Sequence, residues 1–390
     1  MISLMLRNRS LRPIGLDIGH SSIKIIQLAM NGGQVSVIAA GKTNIDSGID
    51  GDEQARRDFI VSAIKRMLAE GGFRGRNVVS CLPNERLKIT SLRLADKETE
   101  QMEQSLKKEV VQRFGLDPDK DAMHYMVAGD VQQGEETKNE LILFAADNEA
   151  VKSHIEMLEE IDLRPVAIDT VPCALFRSFE RSLRRQEDRE RTLVFVDVGS
   201  RFTTVVFGRG GEISFVKQIP LGGETFNQKI AERLAVNVAE AQMLRDKLRA
   251  ERGGRVCESA SNTEAPGDNG RDLDAATRQA IVDSIGSVAE ELAKEISLCL
   301  RYYTVTFRGK RVERAIFTGG GAYEDILLNV LKRQLTVEIE VGQPLRGFDL
   351  SGEEAHINLD SDRRGVLCEW AVAVGLSLKG WNGTKNSRTD

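Results

Sequence analysis

Asp17 and Asp197 each close a β-rich apolar run, and each is followed two positions later by a glycine and then by a polar, hydroxyl-bearing stretch. The first copy reads DIGHSSIK (17–24) and the second DVGSRFTT (197–204). In such a turn Gly19 or Gly199 lets the backbone approach a ligand closely. Successive main-chain N–H groups then form a concavity for an anion, with Ser21, Ser22, Ser200, Thr203 and Thr204 as further donors. A carboxylate beside a phosphate is repelled unless a cation lies between them. Asp17 and Asp197 therefore suit Mg²⁺, held through water because that ion gives up its hydration shell reluctantly. Lys24 suits either neutralisation of phosphate charge or an outward place on its strand. A third element, VERAIFTGGGAYEDILLNVLKRQL (312–335), passes from an apolar run through Gly319, Gly320, Gly321 and Ala322 into a stretch where Ile326, Leu327, Val330, Leu331 and Leu335 share a helical face. Three glycines between strand and helix let a flat ring or a phosphate lie against bare backbone.

The segments that must position these residues repeat. Residues 14–37 (IGLDIGHSSIKIIQLAMNGGQVSV) and 194–215 (VFVDVGSRFTTVVFGRGGEISF) share one pattern: strand, polar turn, strand, Gly-Gly turn, strand. Asp17 matches Asp197, Gly19 matches Gly199 and Lys24 matches Thr204. The second hairpin is two residues shorter before its Gly-Gly, an even difference that keeps the same side chains facing the core. The pattern predicts a duplicated α/β fold with two facing halves.

A chain of 390 residues has room for two or more domains. Its net charge of −5 supplies no basic field for nucleic acid. The run RSLRRQEDRER (181–191) mixes signs and reads as a solvated link. Five cysteines without a C-x-x-C pair fit a reduced compartment and no zinc site. No run approaches the ~20 apolar residues of a membrane span, and MISLML at the start is too short for a signal segment. The expectation is a cytoplasmic protein whose mature form is the whole chain.

The three elements in this order resemble the actin-like ATPase superfamily, and the longer set of motifs resembles the PilM family of type IV pilus assembly proteins, itself similar to FtsA. That set includes IGLDIGHSSIKIIQL, HYMV, ELILFAADNEAVKSHIEMLEEIDLRPVAID, IPLGGETFNQKIAERLAV, TGGGAYEDILLNVLKRQL, VEIEVGQPL and WAVAVGLSLK. The resemblance implies an actin-like ATPase fold, two ribonuclease-H-like halves at 1–190 and 191–390, with an FtsA/PilM-type subdomain 1C at roughly 86–165. It implies ATP with Mg²⁺ as cofactors. Gly19, His20, Ser21, Ser22 and Lys24 fall in the first phosphate loop, Gly199, Ser200, Thr203 and Thr204 in the second, and Gly319, Gly320, Gly321 and Ala322 in the adenosine loop. Asp17 and Asp197 hold the metal, and Gln242 and Arg245 lie on a helix near the ribose. It further implies a place beneath the inner membrane, reached only through partners, and binding of the cytoplasmic N-terminal peptide of a PilN-like inner-membrane protein. Self-association is common in actin-like folds, though no surface of this sequence announces it.

The sequence departs from the superfamily in three ways. Where a Glu-Pro pair commonly orients the attacking water, IDTVPCALF places Val171 before Pro172, with Asp169 as the nearest acid, so slow or absent hydrolysis is expected. In NVAEAQMLRDKL, Gln242 stands where an acid is usual and Arg245 where lysine is usual. Residues 250–276, rich in Gly, Ser, Asn and acids, read as a mobile insertion between two helices. The stripe Ile281, Ile285, Val288, Leu292 and Ile296 that follows is expected to be core. Two alternatives remain: an FtsA-like division filament protein, against which the chain end LKGWNGTKNSRTD lacks an amphipathic stripe, and a small-molecule kinase of the same fold, for which no acceptor motif is found.

Overall fold

A computed structural model describes residues 10–31, 33–49, 51–95, 99–133, 136–180, 191–254, 273–307, 311–350, 356–357 and 366–380. The link at 181–190, most of the expected insertion, the first nine residues and the last ten lie outside the described residues.

Two sheets carry the repeat. In the first, β1 (Ser10–Ile18), β2 (Ser22–Asn31) and β3 (Gln34–Asn44) form an antiparallel meander, and β4 (Asn77–Cys81) and β8 (Arg164–Asp169) extend it from β1 as parallel strands. In the second, β9 (Thr192–Val198), β10 (Thr203–Arg209) and β11 (Glu212–Ile219) form the same meander, extended from β9 by parallel β12 (Val312–Thr318) and β13 (Glu338–Val341). The registers agree as well: Asp17 lies opposite Lys24, and Asp197 opposite Thr204. The first sheet has one further short strand, β14 (His356–Ile357), parallel to β3.

Alternation along the strands sorts the cores. Ile14, Leu16, Ile23 and Ile25 pack on Ile60, Ile64 and Met67 of α1 (Glu53–Glu70) and on Leu158 of α3 (Asn148–Glu160). On the opposite face Ile26 and Leu28 meet Trp370, Val374 and Leu378 around α9 (Ala371–Ser377), so the chain's last described helix returns to the first sheet. That helix lies very close. A Cβ on Gly15 would stand 2.2 Å from the Ala373 carbonyl, and one on Gly375 1.8 Å from the carbonyl of Ala174 in α4 (Val171–Glu180). The second sheet is covered by α5 (Gly223–Leu234) and α8 (Asp325–Gln334), with the long α7 (Ala275–Thr306) behind them. Ile281, Ile285, Val288, Leu292 and Ile296 of α7 are all buried there, as their spacing predicts.

A third sheet orders β5 (Lys88–Leu94), β7 (Glu136–Ala146) and β6 (Ala122–Gln133), all antiparallel. One face packs Leu92, Leu141 and Leu143 on Met102, Leu106 and Val110 of α2 (Thr99–Phe114). The other face is fastened to α7. Glu140, whose side chain is 1% exposed, accepts from Arg93 Nε at 2.8 Å and from the Tyr302 hydroxyl at 2.8 Å, while Arg93 Nη2 donates to Thr306 Oγ1 at 2.8 Å.

Candidate functional site

The two Asp-x-Gly turns and the glycine loop converge on one cavity of ≈ 500 Å³. Asp17, Gly19, His20, Ser21, Ser22 and Lys24 line one side. Asp197, Gly199, Ser200, Gly319, Gly320 and Gly321 line the other, with Gln242 and Arg245 from α6 (Val238–Gly254). Thr203, Thr204 and Ala322 do not reach the wall. The Thr203 hydroxyl is spent on the Leu221 carbonyl at 2.7 Å, Thr204 accepts from Asn84 Nδ2 at 3.4 Å across the two halves, and Ala322 is fully buried behind its loop.

The two turns are built alike. Gly19 N–H donates to the Ser22 carbonyl and Gly199 N–H to the Phe202 carbonyl, each at 3.0 Å. Their own carbonyls are engaged by donors, so neither turn presents them bare to an anion. Arg56 Nη2 donates to Gly19 O at 3.2 Å and His20 O at 2.7 Å. In the second turn Gly223 and Glu224, at the start of α5, donate to Gly199 O at 2.9 Å and Ser200 O at 2.8 Å. Glu224 in turn lies 3.8 Å from His20 Nε2 and 2.8 Å from Arg201 Nε, joining the first turn to the second half.

Asp17 is buried and Asp197 is half-buried at the end of its strand. Burial raises the proton affinity of Asp17, against the pull of Lys24 Nζ at 3.5 Å. Burial and then the charge of Asp17 push Asp197 up to about 6, despite a hydrogen bond from Thr318 Oγ1 at 3.1 Å. Two desolvated carboxylates that repel each other favour a cation, and hard oxygen donors suit Mg²⁺. Among the described residues no group of three or more His, Cys, Asp and Glu could hold a metal by itself, so the ion's remaining ligands would be water and ligand oxygens. The glycine loop fits a nucleotide in a second way. Gly319 needs φ of +81°, and a Cβ there would stand 2.6 Å from the Val198 carbonyl, whereas a Cβ on Gly320 would enter open space on the cavity wall.

Val171 lines the cavity where an acid would orient water. Asp169 cannot substitute from its place two residues earlier, because its carboxylate is held by Arg177 at 2.9 Å, Lys379 at 3.2 Å and the Thr170 N–H at 2.8 Å. Arg245 lines the wall, but its guanidinium is committed inward: to Glu324 at 3.1 Å, Gly223 O at 2.9 Å and Asn227 Oδ1 at 3.1 Å, over the Phe226 ring at 4.7 Å. It shapes the pocket floor. Lys42, Asn44, Arg56 and Glu369 also line the cavity and are not marked by any local motif.

A family model described as type IV pilus assembly protein PilM matches residues 15–251 and 283–381. The chain belongs to that family. The expected insertion, 250–276, falls almost wholly between the two matched stretches. Among solved structures, a chain of the PilM–PilN type IV pilus biogenesis complex is similar at a TM-score of 0.70 and 22% identity, covering 95% of this chain and 98% of that one. Ethanolamine utilization protein EutJ from Carboxydothermus hydrogenoformans is similar at a TM-score of 0.52 and 12% identity, covering 95% of this chain and 90% of that one. The fold is that of the actin-like ATPases, as the duplicated sheets show. No helix among the described residues is long and apolar enough to cross a membrane.

Proposed function

We propose that this PilM-family chain is a nucleotide-gated scaffold of type IV pilus assembly, or of a related secretion or competence apparatus. ATP with Mg²⁺ would bind between the two turns, and cleft closure would set affinity for the cytoplasmic N-terminal segment of a PilN-like inner-membrane protein. The observation that carries this reading is the convergence of two equivalent Asp-x-Gly turns and one glycine loop on a single cavity, with Val171 where a water-orienting acid is expected. The division into halves at 1–190 and 191–390, with subdomain 1C at 86–165, belongs to the same proposal, although β14 and α9 of the second stretch return to the first sheet; so does a cytoplasmic place at the inner membrane.

Bound Mg²⁺ would supply charge neutralisation between the carboxylates and the phosphates. Asp17 and Asp197 would hold the ion through its water shell, Lys24 with Ser21, Ser22 and Ser200 would meet phosphate oxygens, and Gly320 would give room for the nucleoside. Val171 offers no carboxylate and Asp169 is held by Arg177 and Lys379, so the reading expects hydrolysis to be slow or absent. Such a ligand can bias open against closed states only through contacts it makes differently in the two, and a ligand held by both turns at once would do so, since the turns already meet through His20, Glu224 and Arg201. The solved PilM–PilN complex supports the choice of partner. The family match favours neither the division-filament nor the kinase alternative.

Calorimetry with Mg²⁺ and ATP on the wild type, Asp17→Ala and Asp197→Ala tests the site, with phosphate release followed in parallel. The reading requires binding by the wild type, loss in both variants and little phosphate released. A folded wild type that binds no nucleotide overturns it. Scaffold gating is tested by the affinity of a PilN N-terminal peptide with and without Mg²⁺ and ATP, and equal affinities refute that part.

A further inference from the structure

Three neighbouring strands of the first sheet place Asp17, Lys24 and Lys42 on one rung: Asp17 pairs with Lys24 on β2, and Lys24 with Lys42 on β3. Opposite partners share a face, and all three line the cavity. The corresponding rung of the second sheet is Asp197, Thr204 and Gln218. One half of the cleft therefore carries two lysines where the other carries two neutral side chains.

Like charges directly opposite on a sheet are destabilising. Here each lysine has an acid. Lys24 has Asp17 at 3.5 Å, whereas Lys42 has an acid from far along the chain, Glu369, whose two oxygens lie 3.1 and 2.9 Å from its Nζ. Glu369 belongs to the segment leading into α9, and the carbonyl of its neighbour Cys368 accepts from Gly319 N–H at 3.2 Å. The Lys42 side chain is 18% exposed and that of Glu369 10%, so the pair sits at the cavity edge rather than in open solvent. The pair ties β3 to the segment before α9 and at the same time sets a second ammonium on the cavity wall that carries Lys24.

We propose that Lys42 is a second phosphate-binding lysine and that Glu369 is its resident counter-ion, yielding it to the polyphosphate of a nucleoside triphosphate. The assignment rests on the nucleotide reading of the cavity and extends it to charge selection. The lysine rung matches the extra negative charge of a triphosphate over a diphosphate. Exchange of one carboxylate for phosphate oxygens keeps Lys42 paired throughout, so no bare buried cation forms at any stage.

The test compares ATP and ADP affinities, each with Mg²⁺, for the wild type, Lys42→Met, Glu369→Gln and the double variant Lys42→Met with Glu369→Gln. The double variant leaves no unpaired charge and guards against a folding defect in the single ones. With Lys42 on phosphate, Lys42→Met and the double variant weaken ATP by about tenfold, one charge-assisted contact, and ADP by less. Glu369→Gln binds ATP at least as tightly as the wild type and shows a larger thermal shift with Mg²⁺ and ATP. An unchanged ratio of ATP to ADP affinity in the double variant refutes the assignment while the nucleotide site stands. Absence of binding in the wild type removes the nucleotide reading and this inference together.

Discussion

The fastening of the three-stranded sheet to α7 gives a sharp prediction. Replacing Arg93 by Met leaves the Glu140 carboxylate, 1% exposed, with the Tyr302 hydroxyl as its remaining donor among the contacts described above. Breaking a fully buried ion pair costs about 3–5 kcal/mol. The Arg93 side chain is 34% exposed and keeps part of its hydration, which lowers the expected cost to about 2–3 kcal/mol. The cost should be local, because Arg93 and Glu140 sit on β5 and β7 while Tyr302 and Thr306 sit on α7. Native-state hydrogen exchange reads it directly: amides of β5 and β7 should exchange about 30-fold to about 150-fold faster, with those of β1 and β2 unchanged. Adding Glu140→Gln removes the stranded charge and should recover at least half of that loss. A change of less than about threefold in Arg93→Met, or a double variant as exposed as the two single losses added together, would show that the pair does not hold the sheet.

Other residues give equally definite outcomes. His154 is buried, hydrogen-bonded to Ser80 Oγ at 3.1 Å, and lowered by burial to about 4. The folded state therefore binds fewer protons than the unfolded chain between about pH 6.5 and about pH 4, and stability falls as pH drops through that window, by up to about 3 kcal/mol. His154→Gln should flatten the decline in urea midpoints. Arg245→Lys forfeits contacts to Gly223, Asn227 and Phe226 while Glu324 stays buried, and should cost about 2–3 kcal/mol in urea titration. Gly320→Ala should leave the fold within about 0.5 kcal/mol of the wild type but reduce nucleotide affinity, whereas Gly319→Ala, strained at φ of +81°, should lower the melting temperature itself.

The duplicated frame was legible because strand periodicity and glycine turns are local signals, and two copies checked each other. Lys42 was not. The turn around Gly33 pairs Asn31 with Gln34, and a regular ladder from there would set Lys24 opposite Gly41, with Lys42 on the other face. A one-residue irregularity between Gln27 and Leu28 shifts the register and brings Lys42 opposite Lys24, a step that no residue type in IIQLAMNGGQVSVIAAGK announces. Val171 could be read from one position, but the occupation of Asp169 needed Arg177 and the distant Lys379. Thr203 and Thr204 had the right chemistry for a phosphate turn, yet a carbonyl and a cross-cleft asparagine take their hydroxyls. These outcomes share a cause. The duplicated sheets preserve backbone and register, while the charge on matching rungs has diverged: Asp17, Lys24 and Lys42 in one half, Asp197, Thr204 and Gln218 in the other. Gln218 donates to Asn84 at 3.0 Å, and Asn84 donates to Thr204, so the second rung links the halves through neutral hydrogen bonds. On the proposed nucleotide reading, phosphate charge would be met on the first half, and replacing only neutral hydrogen bonds would let the second half shift against the bound nucleotide.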